Sequence, residues 1–161
     1  MNWRIGNGYD AHRFAPEGGR ELRIGGVRIE WPRGLAGHSD ADVLLHAVCD
    51  ACLGAAGRGD LGAHFPNNER YRGADSRGLL REVRRMLDEA RLRVMNIDCV
   101  VVAERPKLAP HTAAMARNIA EDLGADAARV NVKATSTDGL GFCGREEGIA
   151  AHAVALLAGS G

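Results

Sequence analysis

Asp10-Ala11-His12 and His38-Ser39-Asp40-Ala41-Asp42-Val43-Leu44-Leu45-His46 carry three of the chain's six histidines and three of its carboxylates. An aspartate with two imidazoles is a donor set for zinc. Three protein ligands with a fourth position open describe a catalytic zinc site, whereas structural sites are closed by four. Each piece alone has a plainer meaning. An Asp-x-His pair is a weak motif, and a His-Ser-Asp-x-Asp run is an ordinary capped helix start. Their joint presence in so short a chain favours the metal reading.

For those groups to meet, the first stretch must be extended and the second helical. Paired glycines and a tyrosine in Arg4-Ile5-Gly6-Asn7-Gly8-Tyr9 suit a strand, on which Asp10 and His12, as i and i+2, share a face. Apolar positions at Val43, Leu44, Ala47, Val48, Ala51 and Leu53 predict a helix with Ser39 or Asp40 as N-cap. Asp42, His46 and Asp50 then follow one edge at i+4 spacing. That makes Asp42 and Asp50 candidates for the carboxylate that fixes the tautomer of a ligating histidine.

The other elements follow in order. Leu22 to Ile29 reads as a hairpin about Gly25-Gly26, covering an edge of the site. Gly57 to Glu69 is a long aperiodic loop, with His64 an exposed loop histidine. Asp75 or Ser76 caps an amphipathic helix with the stripe Leu79, Leu80, Val83, Met86, Leu87 and Ala90. Val94 to Ala103 is a buried strand that stops before Pro106. A helix from Ala109 or Pro110 runs to Gly124, and Val130 to Thr135 is a strand. Gly148 to Leu157 suits either a helix or a strand apolar on both faces, one of which a neighbouring subunit would cover. The outline is a single α+β domain over residues 1–161: a mixed four-stranded sheet, helices packed on one face and a small β-hairpin.

Composition excludes several classes. Lys plus Arg and Asp plus Glu are 21 each, which argues against nucleic acid as a partner and confines any phosphate binding to a local site. No apolar run reaches membrane-spanning length and no signal-type leader opens the chain, so the expected location is cytoplasmic. Cys49-Asp50-Ala51-Cys52 lies within the predicted helix without a second C-x-x-C. With Cys99 and Cys143 these cysteines read as small buried hydrophobes in a reducing compartment. Aromatic content is only 4%, so subunit contacts could add the burial that the core lacks.

Taken in order, Gly6-x-Gly8-Tyr9-Asp10-x-His12, Gly37-His38-Ser39-Asp40-x-Asp42-Val43-x-x-His46-Ala47, Gly73-Ala74-Asp75-Ser76 and Val130-Asn131-Val132-Lys133-Ala134-Thr135 cover almost the whole chain. That set resembles the 2-C-methyl-D-erythritol 2,4-cyclodiphosphate synthase family of the non-mevalonate isoprenoid pathway. The resemblance implies a cyclising, CMP-releasing phosphorus–oxygen lyase. In 4-diphosphocytidyl-2-C-methyl-D-erythritol 2-phosphate the 2-phosphate attacks the β-phosphorus, and CMP leaves. It implies one zinc per subunit on Asp10, His12 and His46, and a second cation, magnesium or manganese, with Asp138 as a ligand.

His38 and Ser39 would contact the phosphorylated part of the substrate, His38 also aiding the transition state together with Ser136. Asp60, Leu61, Gly62, Phe65, Asn67, Asn68 and Glu69 match a mobile loop around the erythritol hydroxyls. Ala103, Pro106, Lys107, Leu108 and Ala109 match a cytidine-binding stretch, and Thr135, Ser136, Thr137 and Asp138 the segment that holds the diphosphate. Ser136 and Asp138 depart from the threonine and glutamate more common in the family. Phe142 and Arg145 would face a threefold cavity able to take isoprenoid diphosphates. The family implies a homotrimer with sites between subunits, and it favours the strand reading of Gly148 to Leu157. Two other functions use the same residues: a zinc-dependent phosphohydrolase, and a non-catalytic trimer that binds isoprenoid diphosphate.

Overall fold

A computed structural model describes residues 2–159. In chain order the strands are β1 (Asn2–Arg13), β2 (Leu22–Ile24), β3 (Val27–Ile29), β4 (Leu92–Val102), β5 (Val130–Thr135) and β6 (Gly148–Gly159). The helices are α1 (Val43–Ala56), α2 (Leu61–His64), α3 (Ser76–Glu89), α4 (Thr112–Leu123) and α5 (Gly141–Gly144). Four strands form one sheet in the order β1-β6-β4-β5, and β2 pairs with β3 as the expected hairpin. β6 runs antiparallel to both neighbours, whereas β5 is parallel to β4, so the sheet is mixed. The apolar side chains of α1, α3 and α4 join those of the sheet in one core. This is the α+β layer arrangement expected from the sequence.

Small residues set how closely α1 lies on the sheet. A Cβ at Gly8 would stand 1.9 Å from the carbonyl oxygen of Ala47, and one at Gly6 2.1 Å from that of Ala51. Ala47, Ala51 and Ala55 recur at i+4 along the facing helix, so neither side holds helix and strand apart. The close approach carries His46 down onto the end of β1 where Asp10 and His12 stand.

The entry into α1 differs from expectation. Asp42 is the N-cap, not Ser39 or Asp40, and it is fully buried. Its Oδ1 accepts from the N–H of Leu45 at 3.1 Å and of Gly25 at 2.8 Å, and its Oδ2 from that of Gly26 at 2.7 Å. One carboxylate thus caps the helix and ties the hairpin turn to it. Burial pushes the Asp42 carboxyl up to about 6, against the pull of those N–H donors.

Three further expectations are refined. The stretch from Gly57 to Glu69 is not wholly irregular: Asp60 caps the short α2, and Asn68 caps a 3-10 turn at Glu69–Tyr71. His64, expected to be exposed, is half-buried and bonds through Nε2 to the carbonyl of Arg58 at 2.7 Å. Gly148–Gly159 is a strand, but only its helix-facing side is uniformly apolar. Ile149, Ala151, Ala153, Ala155 and Leu157 are buried, while His152 and Val154 on the other side are exposed.

Candidate metal centre and its cleft

Asp10 and His12 end β1 on its helix-facing side, and His46 reaches them from the end of the first turn of α1. Asp10 Oδ2 lies 2.9 Å from His12 Nε2 and 3.0 Å from His46 Nδ1, and the two ring nitrogens are 3.3 Å apart. Donors about 2.0–2.1 Å from a tetrahedral zinc stand roughly 3.3 Å from one another, so the three atoms suit one small cation. Among the described residues, this is the cluster of three or more His, Cys, Asp or Glu side chains that could hold a metal ion.

Electrostatics within the cluster run the same way. Burial alone would raise the Asp10 carboxyl, but the bonds and charges of His12 and His46 outweigh it and hold the group well below its usual range. Burial likewise lowers the His12 imidazole, and the Asp10 bond and charge more than reverse that, leaving it raised. His12 Nδ1 lies 2.8 Å from the Ala36 carbonyl oxygen, which can only accept. Nδ1 therefore carries the proton, and Nε2 presents its lone pair to the cluster.

His46 is held differently. Its Nε2 lies 2.9 Å from Ser76 Oγ and 3.1 Å from Ser39 Oγ. The sequence pointed to Asp42 and Asp50 as its supporting carboxylates, and neither serves. Asp42 is spent on the helix cap, and Asp50 Oδ1 accepts from the N–H of Leu61 at 2.7 Å, anchoring the start of α2. The carboxylate behind His46 is Asp40, reached through Ser76. Asp40 and Ser76 are 36 residues apart, and no local spacing signals the contact.

Around the triad lies a cleft of about 390 Å³. His38, Ser39, Asp60, Leu61, Gly62, Phe65 and Asn67 line it together with the three ligand candidates. Tyr71, Ala74 and Leu79 also line it and were not anticipated; Tyr71 meets Phe65 edge-on at 5.5 Å. His38 Nε2 bonds the carbonyl of Asn68 at 2.6 Å, and Arg20 bonds the carbonyls of Gly37 and Ser39, so the segment before α1 is pinned from both sides. Asn68 and Glu69 stand outside the lining; Glu69 pairs with Arg72. A larger hollow of about 740 Å³ beside the β2–β3 hairpin holds no metal-ligating cluster among the described residues.

Comparison with known proteins fixes the family. The profile of the YgbB family matches residues 3–158. The chain belongs to the YgbB family. It is 57% identical over 157 residues to the 2-C-methyl-D-erythritol 2,4-cyclodiphosphate synthase of Thioalkalivibrio sulfidiphilus, covering 97% of each chain. It is 58% identical over 155 residues to the protein of that name in Azotobacter vinelandii, covering 96% of this chain and 98% of that one. Among solved structures, the bifunctional IspDF of Campylobacter jejuni superposes with a TM-score of 0.91 at 43% identity; the match takes in 97% of this chain and 42% of that longer one. A CDP complex of IspF from Plasmodium falciparum matches 99% of this chain and 98% of that one, with a TM-score of 0.87 and 31% identity.

In this YgbB-family chain the remaining candidate residues lie outside the cleft around the triad. Ala103, Pro106 and Leu108 are buried where β4 ends, with Lys107 and Ala109 exposed beside them. The N–H of Ala103 donates to the Thr135 carbonyl at 3.0 Å, joining this stretch to the Thr135–Asp138 turn. Register links Ala11 to Ala150, Ala150 to Val102 and Val102 to Thr135. Thr135 thus lies in the same row as the candidate ligands of β1 but three strands away, about 14 Å at ordinary strand spacing. Phe142 borders a separate cleft with His12, Phe14 and Glu147, while Arg145 pairs with Glu147 at 2.7 Å.

Proposed function

We propose that this chain converts 4-diphosphocytidyl-2-C-methyl-D-erythritol 2-phosphate to 2-C-methyl-D-erythritol 2,4-cyclodiphosphate and CMP, as a cyclising phosphorus–oxygen lyase. The end-to-end match at 57% identity to a synthase of that name carries the reading. The physical task is to bring one phosphate against another while negative charge gathers at the transferred group, so positioning and electrostatics must do most of the work. Asp10, His12 and His46 would hold zinc, which when bound polarises a phosphate oxygen and fixes its orientation. His38 and Ser39, on the cleft wall, would donate to the phosphorylated erythritol, and Asp60, Leu61 and Gly62 with Phe65 to Glu69 would surround its hydroxyls. Thr135, Ser136 and Thr137 would offer hydroxyl and backbone donors to the diphosphate, with Ser136 and His38 meeting the developing charge. Asp138 would ligate magnesium or manganese. Ala103 and Pro106 to Ala109 would read the cytosine base, with Lys107 near phosphate.

The same proposal includes a homotrimer whose sites lie between subunits. The separation of Thr135 from the triad across three strands supports it, because a neighbouring subunit can bring a diphosphate-binding turn closer to the triad than this chain's own sheet holds it. The open face of the sheet supplies apolar surface for such contacts: Trp3 is 49% exposed, Ile5 73% and Val154 43%. Phe142 and Arg145 would border the threefold cavity, where an isoprenoid diphosphate could bind. No helix is long and apolar enough to cross a membrane, and all four cysteines are free and buried, which supports a cytoplasmic setting.

Phosphorus NMR on protein incubated with substrate, zinc and magnesium tests the reading. Cyclic diphosphate and CMP are the expected products. A linear phosphate would assign it as a phosphohydrolase, and a folded, metal-loaded sample that turns over nothing would overturn the enzyme reading.

A further inference from the structure

Resting on the zinc-binding reading above, we infer that the Asp40–Ser76 pair is the positioning device that makes Nδ1 the metal-binding atom of His46. The argument is one of proton counting. Ser76 Oγ donates its single proton to Asp40 Oδ1. Asp40 is occupied as an acceptor on both oxygens, Oδ2 taking the Ser76 N–H at 3.0 Å and Oδ1 the Asp42 N–H at 3.2 Å. Toward His46 Nε2, at 2.9 Å, Ser76 therefore has only lone pairs to offer. The imidazole must bring the proton to that contact, which leaves the Nδ1 lone pair facing Asp10 and His12.

Something has to make this choice, because the other neighbours do not. Asp10 Oδ2, 3.0 Å from Nδ1, would accept a proton there as readily in a metal-free site. Ser39 Oγ, 3.1 Å from Nε2, accepts the Ala41 N–H and is able to donate to or accept from the ring. The Asp40–Ser76 pair alone discriminates. The two ligating histidines thus use opposite ring nitrogens: Nε2 of His12, set by the Ala36 carbonyl, and Nδ1 of His46, set by a serine that a carboxylate holds in acceptor mode. The pair is also anchored in the fold, since Asp40 N–H donates to Ala74 O at 3.1 Å and Gly73 N–H to His38 O at 2.8 Å.

The test is zinc affinity, measured by chelator competition on the purified full chain, with Ser76→Ala and Ser76→Thr beside the wild type. Asp75, not Ser76, is the cap of α3, so alanine at the first helical position keeps the helix. Loss of such a supporting contact typically weakens metal binding about 10–100-fold. Ser76→Ala is expected in that range, and Ser76→Thr, which keeps the hydroxyl, within about 3-fold of wild type. Histidine-selective NMR of the zinc-loaded protein supplies a second readout. A protected Nε2 proton of His46 should shift in Ser76→Ala while the Nδ1 proton of His12 stays. Wild-type affinity in Ser76→Ala overturns the inference, as does equal loss in both variants with an unmoved Nε2 signal. A wild-type chain that binds no zinc would instead sink the metal reading itself.

Discussion

The two halves of the proposed site are built in opposite ways. At the β1–α1 end, three candidate ligand atoms stand within 3.3 Å of one another, on a strand and a helix pressed together by glycine and alanine, with both imidazoles oriented from behind. At the β5 end, Thr135 and Asp138 are exposed, and the turn's polar groups bond mainly to one another, as Thr137 Oγ1 does to Leu140 O at 2.5 Å. A chain can preorganise a small cation site by itself, because every donor lies within a few ångströms. Enclosing a long diphosphate ester takes a larger surface, and an exposed turn at the opposite sheet edge is what a second subunit would complete.

The largest effect that follows is on the preorganised half. Asp10→Ala removes the one oxygen ligand and leaves two imidazoles side by side. Zinc affinity and CMP release should both fall by at least about 100-fold, beyond what a supporting contact costs; calorimetry and a product assay read the two. Mixing experiments then break or sharpen the contrast directly. Asp10→Ala and Ser136→Ala chains, each nearly inactive, should regain turnover when unfolded and refolded together. In randomly mixed trimers about a quarter of shared sites carry both intact halves. No recovery would place both halves of the site within one chain.

Closeness of packing is the next feature to disturb. In Gly8→Ala the new methyl would stand 1.9 Å from the carbonyl oxygen of Ala47, a backbone atom of a regular helix that cannot swing aside as a side chain could. Separating β1 from α1 should cost about 3 kcal/mol or more in denaturant unfolding. It should also weaken zinc binding, although Gly8 touches no ligand. The corresponding glycine on the β5 side, Gly139, has φ +81 and nothing near its missing Cβ, so an alanine there meets only backbone strain.

Much of this was legible in the sequence, and what was not has a common cause. Periodicity located α1, α3, α4, the hairpin and strands β1, β4 and β5, and i, i+2 alternation put Asp10 and His12 on one face. Spacing along a single helix then suggested Asp42 and Asp50 as the carboxylates behind His46, whereas the structure uses Asp40 through Ser76. Local spacing reports only neighbours on one element, and this contact joins two elements 36 residues apart. For the same reason Tyr71 and Leu79 were not foreseen in the cleft. The resemblance, not the composition, resolved Gly148–Gly159 as a strand, because alanine-rich apolar segments fit either state.

A smaller effect tests the charge balance of the metal half. His12 is raised above its ordinary 6.5 in the fold, through Asp10. A group raised in this way contributes stability that is fully present below pH 6.5 and is lost as pH climbs through its folded value. Metal-free protein should therefore lose Tm as pH rises from 6.5, by no more than about 4 °C. Zinc requires the unprotonated ring, so zinc affinity should rise over the same interval and reverse the Tm trend in loaded protein. Parallel trends with and without zinc would remove His12 from the ligand set.

The smallest effect belongs to the exposed half. Asp138 sits at φ +52, where aspartate is tolerated better than most residues because its short side chain bonds locally, here 3.4 Å from Ser136 Oγ. Asp138→Glu should lower stability by less than about 1 kcal/mol, since it loses that local fit at an exposed position. Its carboxylate reaches one methylene further, so the magnesium concentration for half-maximal activity should move by about 3-fold. Zinc affinity should move far less than in Asp10→Ala, because Asp138 bonds Ser136 and none of the three candidate ligands. A zinc-affinity loss as large as that of Asp10→Ala would instead make Asp138 a ligand of the zinc site itself and end the contrast between the two halves.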